Sequence, residues 1–264
     1  MNPPAWWRRL RATVWPRTVI IDDADWGALV ARSELFSSLD PARLARLRER
    51  CGEFLARKSF SAAAGHVLDD AQCLAIAAQA CLPVLDLGID WLDGWREIVV
   101  YPGGFRVRRE HHDEHSGVIT EGDDELIGEA WERGPVILSW ADIAADLDDP
   151  FAGFNVVIHE IAHKLDMLDG AMNGVPRLPR TIARAEWIAT MQAAYDDFVA
   201  RVDAGEDMPL DPYAAEAPDE FFAVLAESWF STPTTVQALG PGVSSLLERL
   251  FSPTPPLTGP ANAA

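Results

Sequence analysis

Residues 155–166 (NVVIHEIAHKLD) constrain this chain more than any other part of its sequence. His159 and His163 are four residues apart, so on an α-helix they lie one turn apart on the same face. Two imidazoles at this spacing can bind a single tetrahedral Zn²⁺. Glu160 lies about 100° further around the helix, where it can act as a general base without binding the metal. The pattern therefore predicts a catalytic zinc site on one helix.

The helical phase of the remaining residues agrees with this prediction. With His159 placed at 0°, the apolar residues of the segment fall between about 160° and 240°, on the opposite side. Asp166 falls near −20°, where it either accepts the spare N–H of a ligand imidazole or is an ordinary acid on the helix face. One face of the predicted helix therefore packs into the core, and the other presents nitrogen and oxygen atoms.

A catalytic zinc site normally has three protein ligands and a water, so one ligand must come from elsewhere. Position 169 is Asp, which excludes the metalloprotease subclass with a third histidine there. The outstanding candidate is residues 218–230 (PDEFFAVLAESWF), an apolar and therefore buried helix. Glu220 and Glu227 share one stripe of it within about 20°, and a buried carboxylate needs a partner or a metal. Periodicity does not choose between them, and a stripe facing solvent is the alternative.

Three blocks of the chain resemble the Mlc titration factor A family, zinc-dependent peptidases of the gluzincin type. They are residues 81–101 (CLPVLDLGIDWLDGWREIVVY), residues 134–166, which end in HEIAHKLD, and residues 213–233 (YAAEAPDEFFAVLAESWFSTP). The blocks span most of the chain, and the last two contain the residues that carry chemistry.

The resemblance implies a role for each candidate residue. It implies that one zinc ion is bound by His159, His163 and Glu220, and that Glu160 is the general base. It also implies that Tyr213, seven residues before Glu220, stabilises the oxyanion or donates a proton. The expected activity is hydrolysis of peptide or protein substrates, with an aminopeptidase preferred over an endopeptidase by resemblance alone.

We expect an α+β fold of the zincin-like type, mainly helical, with a small mixed sheet. Strands are predicted near 96–102 and 134–140, and 105–109 is a possible hairpin partner of the first. The second strand is expected to form the edge along which an extended substrate adds. Helices are predicted at 29–36, 40–56, 71–80, 155–168, 183–199 and 220–230, and residues 233–248 are expected to end the ordered fold. The expected organisation is a variable helical region at 1–60, a catalytic domain at 61–252 and a disordered Pro-rich tail at 253–264.

The composition of the chain argues against several other classes of function. The chain has 22 basic and 41 acidic residues, a net charge of −19, which disfavours direct binding to nucleic acid. It lacks a run of eighteen apolar residues and a signal peptide, which predicts a protein without a membrane span. Three cysteines without a CxxC pair favour a reducing compartment, so a cytoplasmic location is expected.

Two further hypotheses stay open at this point. The resemblance also implies a regulatory binding protein that sequesters a glucose-responsive transcriptional repressor, a role that can coexist with peptidase activity. The segment 110–125 contains His111, His112 and His115 among acids, and is interpreted as a solvated loop or a second metal site. A purely structural zinc site is disfavoured, because such sites usually contain cysteine and none lies near the motif.

Overall fold

The computed structural model describes residues 18–103 and 134–251. The strands are β1 (Ser59–Ala62), β2 (Glu97–Tyr101) and β3 (Val136–Ser139), and single 3₁₀ turns occur at Ile89–Leu92, Met167–Asp169 and Pro212–Ala215. The helices, in chain order, are α1 (Asp23–Arg32), α2 (Glu34–Ser37), α3 (Pro41–Arg57), α4 (Asp70–Cys81), α5 (Trp140–Asp148), α6 (Val156–Asp166), α7 (Arg184–Asp203), α8 (Pro218–Ser231), α9 (Pro233–Ala238) and α10 (Pro241–Phe251). This helix-rich arrangement around a small sheet is the expected α+β class.

The sheet differs from the prediction in its pairing. Its strand order is β1-β2-β3, with Ser59 opposite Glu97 and Ile98 opposite Val136, and both pairs are parallel. The strands near 96–102 and 134–140 are confirmed, whereas the mixed sheet is wrong for the described residues. Strand β1 (SFSA) was not predicted, because four half-buried residues with two serines carry little β-propensity. The possible hairpin partner at 105–109 lies outside the described residues.

Capping side chains set where the helices begin. Asp40 accepts the N–H groups of Ala42 and Arg43, so α3 begins at Pro41, one residue after the predicted start. The predicted helix 29–36 is divided at Ser33, whose hydroxyl caps α2. Residues 233–248, expected to end the ordered fold, lie in α9 and α10, which are separated near Gly240 with its φ of +120°. Helix α5 was not predicted.

The core is formed where helices α3, α4, α6 and α8 pack together. Helix α3 packs on α4, α4 packs on α6, and α6 packs on α8. All the side chains of α8 from Asp219 to Ser231 are buried. The three cysteines, Cys51 of α3 with Cys73 and Cys81 of α4, are free thiols in this core, and burial raises the pKa of Cys73 to about 12. The boundary near residue 60 stays a prediction, while the buried cluster includes side chains from both sides of it.

Between α3 and β1 a lysine is buried, and within the described residues no carboxylate forms a hydrogen bond with it. The Lys58 side chain is 4% exposed, and its Nζ donates to the carbonyls of Leu92 and Trp95, the latter at 2.7 Å. The same Nζ lies 3.4 Å from the centroid of the Trp95 ring. Burial lowers the pKa of Lys58 to about 7, although the charge of Asp93 opposes the shift. A neutral amine retains two N–H donors for these two carbonyls.

We therefore expect Lys58 to make the fold more stable as the pH rises above neutral. Between pH 7 and the unfolded pKa of 10.5, the unfolded chain holds the Lys58 proton and the folded chain does not. The free energy of unfolding relative to Lys58→Met should rise by about 2 kcal/mol between pH 7 and pH 9. Reversible urea unfolding of both chains across this range measures the difference, and parallel pH curves would contradict the assignment.

Candidate metal centre

Helices α6 and α8 bring the three predicted ligand residues together. Their ligand atoms, from His159, His163 and Glu220, all lie within 4.8 Å of one another. Glu220 Oε2 is 3.1 Å from His159 Nε2 and 3.3 Å from His163 Nε2, and the two Nε2 atoms are 3.1 Å apart. Ligands about 2.0–2.1 Å from a tetrahedral ion are separated by about 3.3 Å, so these spacings suit one small cation.

The donor set also fits a metal on chemical grounds. The Nδ1 atom of His159 lies 2.6 Å from Glu227 Oε1, which can only accept a hydrogen bond, so Nδ1 carries the proton of the neutral ring. The Nε2 atom then presents a lone pair to the Glu220 carboxylate, another acceptor. Either a second proton on this ring or a cation between these atoms makes the contact with Glu220 favourable. Two imidazoles and one carboxylate are a ligand set of open, catalytic zinc sites.

The charges around the two imidazoles favour a positive charge between them and Glu220. Burial on its own lowers the pKa of His159, but hydrogen bonds to Glu220 and Glu227 and the charges of Glu227 and Glu160 raise it to about 10. Burial on its own raises the pKa of Glu220, but the hydrogen bonds and charges of His159 and His163 hold it well below its usual range. The surrounding carboxylates therefore attract either a proton or a metal ion to the imidazoles.

Glu227 belongs to a buried network behind the centre. Its Oε2 accepts the N–H of Asn155 at 2.7 Å, while its Oε1 contacts His159. Asn155 caps α6 by accepting from Ile158 N, and its Nδ2 donates to Gln79 of α4 at 2.8 Å. The geometry thus distinguishes the two acids, which periodicity could not do. Glu220 faces both Nε2 atoms, and Glu227 contacts Nδ1 of the His159 ring.

Sequence reasoning missed Gln79 and Asn155. Both had a signal: Asn155 stands at the N-cap of the motif helix, and Gln79 is a polar residue within the apolar run 73–81. A fully buried glutamine on an alanine-rich helix requires a partner, which here is the cap of the motif helix. The partner itself could not be identified without the packing of α4 on α6.

Glu160 and Tyr213 lie beside the three converging residues. Glu160 follows His159 on α6, is half-buried, and is close enough for its charge to raise the pKa of that imidazole. Tyr213 lies in the 3₁₀ turn before α8 and is 37% exposed, with its ring centroid 6.3 Å from that of His159. Asp211 fixes the start of this turn by accepting Tyr213 N at 2.9 Å. Both residues therefore keep part of their surface accessible to solvent.

Asp166, the other polar candidate within the described residues, is not part of the cluster. Asp166 is fully buried, and its carboxylate accepts the backbone N–H groups of Asn173 and Gly174 rather than an imidazole N–H. Burial raises the pKa of Asp166 to about 7, against the effect of these two hydrogen bonds. The histidines at 111, 112 and 115 lie outside the described residues.

Replacing Glu227 with glutamine is expected to weaken zinc binding roughly 10–100-fold, the usual effect of losing a partner behind a ligand imidazole. The amide removes the charge that faces His159 Nδ1 and can direct an N–H₂ donor at the N–H of Asn155. Competition with a chromogenic chelator measures the dissociation constant. Glu248→Gln, an exposed position on α10, is the control and should leave it unchanged. Equal affinity in both variants would contradict the role of Glu227.

An α+β fold in which two helices bring two histidines and one glutamate together is consistent with a metallopeptidase. The family model for the glucose-regulated metallo-peptidase M90 matches residues 5–252, and the chain belongs to this family. Mlc titration factor A from Salmonella arizonae is 38% identical over 227 residues, which cover 83% of this chain and 87% of that protein. The protein of the same name from Salmonella schwarzengrund is 39% identical over 218 residues, covering 80% of this chain and 79% of its own length. None of the helices within 18–103 and 134–251 has the length and apolarity to cross a bilayer.

Proposed function

We propose that this chain is a zinc-dependent peptidase of aminopeptidase type that holds one zinc ion through His159, His163 and Glu220. The observation that carries the proposal is that three ligand atoms lie 3.1–3.3 Å apart. The partly exposed carboxylate of Glu160 follows His159 on the same helix, α6. Membership of a metallopeptidase family supports the reaction class. The gluzincin description follows from the pattern of two histidines on one helix and a glutamate on another.

The chemistry that zinc supplies when bound is Lewis-acid polarisation of the scissile carbonyl and acidification of water. Glu160 takes a proton from the attacking water and later delivers it to the leaving amine. The hydroxyl of Tyr213 donates a hydrogen bond to the oxyanion of the tetrahedral intermediate. Glu227 keeps the His159 ring in one tautomer and orientation through its contact with Nδ1.

The substrate is proposed to bind in an extended conformation along β3. In the described part of the chain this strand pairs only with β2, and α6 packs against β3. A peptide added to the free side of β3 would therefore run beside the motif helix, with backbone hydrogen bonds providing affinity that does not depend on side chains.

Metal analysis of the purified chain, combined with a panel of peptide substrates, tests the proposal. We expect a zinc-to-protein ratio near one, together with cleavage of chromogenic aminoacyl substrates that have a free α-amino group. Cleavage of internally quenched peptides with blocked ends would replace the aminopeptidase by an endopeptidase. A protein that retains no zinc and cleaves neither kind of substrate would overturn the proposal.

A second proposed role is capture of a transcriptional repressor. The observation that favours it is the name of the Salmonella relatives, which describes them as titrating Mlc. For this chain the partner would be a repressor of that kind, and DNA would be reached only through it. The charge of −19 favours binding to a basic protein surface rather than to phosphate. Both roles are proposed to operate in the cytoplasm.

A further inference from the structure

A buried carboxylate at the end of α6 connects the motif helix to the loop that follows it. Asp166 is fully buried, three residues after His163. Its Oδ2 accepts the N–H of Asn173 at 2.8 Å and of Gly174 at 2.7 Å, while its Oδ1 has no hydrogen-bond partner among the described residues. An acid in such surroundings is costly to bury, and these two bonds offset part of that cost while they connect the turn at 173–174 to α6.

The turn is held from its other side as well. The carbonyl of Gly174 accepts Trp187 Nε1 of α7 at 2.9 Å. Trp187 is itself fully buried, and its ring packs edge-on against Phe222 of α8 at 5.8 Å. Gly174 therefore has both of its backbone polar groups bonded, one to α6 and one to α7.

Gly174 lies in close contact with the first residue of α8. Gly174 has φ +75°, and a Cβ built on it would lie 2.9 Å from the carbonyl carbon of Pro218 and closer still to its oxygen. Pro218 begins the helix, Glu220 follows two residues later, and the N-cap residue Ala217 provides no side-chain hydrogen bond. The start of α8 therefore lacks a side-chain cap and lies in close contact with the backbone of Gly174.

We propose that Asp166 is a positioning residue that sets the place of Glu220 opposite His159 and His163 through the turn at Asn173–Gly174. The link begins at Asp166, at the end of α6, the helix with both histidines. It continues through Gly174 to the start of α8, the helix with Glu220. It rests on the proposed function, because it concerns the zinc ligand set. The Asp166 side chain would not bind the metal itself. It acts only on the placement of the third ligand, Glu220.

Asp166→Ala and Gly174→Ala break this link at two different points. The first removes the acceptor of both N–H groups, and the second places a methyl group against Pro218. We expect each to weaken zinc binding roughly 10–100-fold in chelator competition, with a changed d–d absorption of the Co²⁺-loaded protein. Asp166→Asn keeps one acceptor oxygen and should restore most of the affinity.

Matched controls lie in the same segment. Asp169→Ala removes an acid that pairs with the exposed Arg184 at 2.7 Å, and should leave the zinc affinity unchanged. Gly170→Ala introduces alanine at φ +95° with nothing within 4 Å of the new Cβ. It therefore reproduces the backbone strain of Gly174→Ala without the collision. If Gly170→Ala weakens zinc binding as much as Gly174→Ala, the contact with Pro218 is not responsible and the proposal is wrong.

A double-mutant cycle separates positioning from general stabilisation. If Asp166 acts through Glu220, Asp166→Ala should not change the residual zinc affinity of a Glu220→Ala chain further, but should still weaken binding in Glu227→Gln. Equal effects of Asp166→Ala in all three backgrounds would mean a merely structural role and would overturn the proposal. All affinities are compared where circular dichroism shows each variant to be folded.

A measurement without metal distinguishes this proposal from the proposed function. Amide hydrogen exchange in the zinc-free protein should be faster over residues 218–225 in Asp166→Ala and Gly174→Ala, and unchanged in Asp169→Ala. If the natural chain binds no zinc, the peptidase proposal fails, and the exchange data still report whether the link orders the start of α8. Unchanged exchange in all the variants would overturn the link itself.

Discussion

Replacing Glu160 with glutamine is expected to lower kcat/KM for peptide hydrolysis by about 10²–10⁴-fold while the zinc content stays the same. Glutamine has nearly the size of glutamate but cannot accept the proton of the attacking water at neutral pH. The three atoms that converge on the centre belong to other residues, so metal binding does not depend on this side chain. Steady-state kinetics on an aminoacyl substrate, with zinc measured on the same sample, report both quantities.

The control for this experiment is Glu248→Gln, which changes an exposed acid to the same amide on α10. It corrects for the loss of one negative charge and should have normal kinetics. Full activity in a zinc-loaded Glu160→Gln protein would remove Glu160 from the reaction and leave the centre without a proton acceptor. Loss of zinc together with activity would instead assign Glu160 to metal binding.

Replacing His159 and His163 together with alanine is expected to abolish zinc binding and reduce peptide hydrolysis to the rate of buffer alone. Only Glu220 then remains of the three ligands, which is too few to hold the ion. The stabilisation by zinc should vanish with it. For the natural chain this amounts to about 4 kcal/mol at a free zinc concentration 1,000 times the dissociation constant. Thermal unfolding with and without added zinc measures the stabilisation.

The same double variant separates the two proposed roles. Capture of an Mlc-type repressor, measured with the folded variant immobilised, should persist if the binding surface lies away from the metal centre. Loss of hydrolysis with intact capture would assign the two roles to separate sites. Loss of both in a chain that circular dichroism shows to be folded would mean that the repressor binds at the centre or requires the metal.

Much of the candidate site follows from helical periodicity alone. The spacing of His159 and His163 determines that both rings emerge on one face, whatever else the chain does, because an α-helix advances about 100° per residue. The same argument made Glu220 and Glu227 the leading candidates for the third ligand, while a stripe facing solvent stayed open. It could not go further, since the choice depends on how far α8 is displaced along α6, and tertiary packing determines that displacement.

The features that were missed share a different cause. The network of Gln79, Asn155 and Glu227 connects three helices, and the turn at Gly174 reaches α8 across a gap of more than forty residues in sequence. No local pattern contains the partner of a long-range contact. Strand β1 was not predicted for a related reason. A short parallel strand is defined by its pairing with a neighbour, here β2, and not by its own residues.

The burial of all three thiols has a consequence for how metal content can be interpreted. Thiolates are avid zinc ligands, but a sulfur enclosed in a close-packed interior is not accessible to the ion. Zinc counted on intact molecules therefore reports imidazole and carboxylate donors alone. In denatured material the same sulfurs become scavengers, so an apparent excess of metal, or rapid alkylation by a maleimide dye, would identify damaged protein in a preparation.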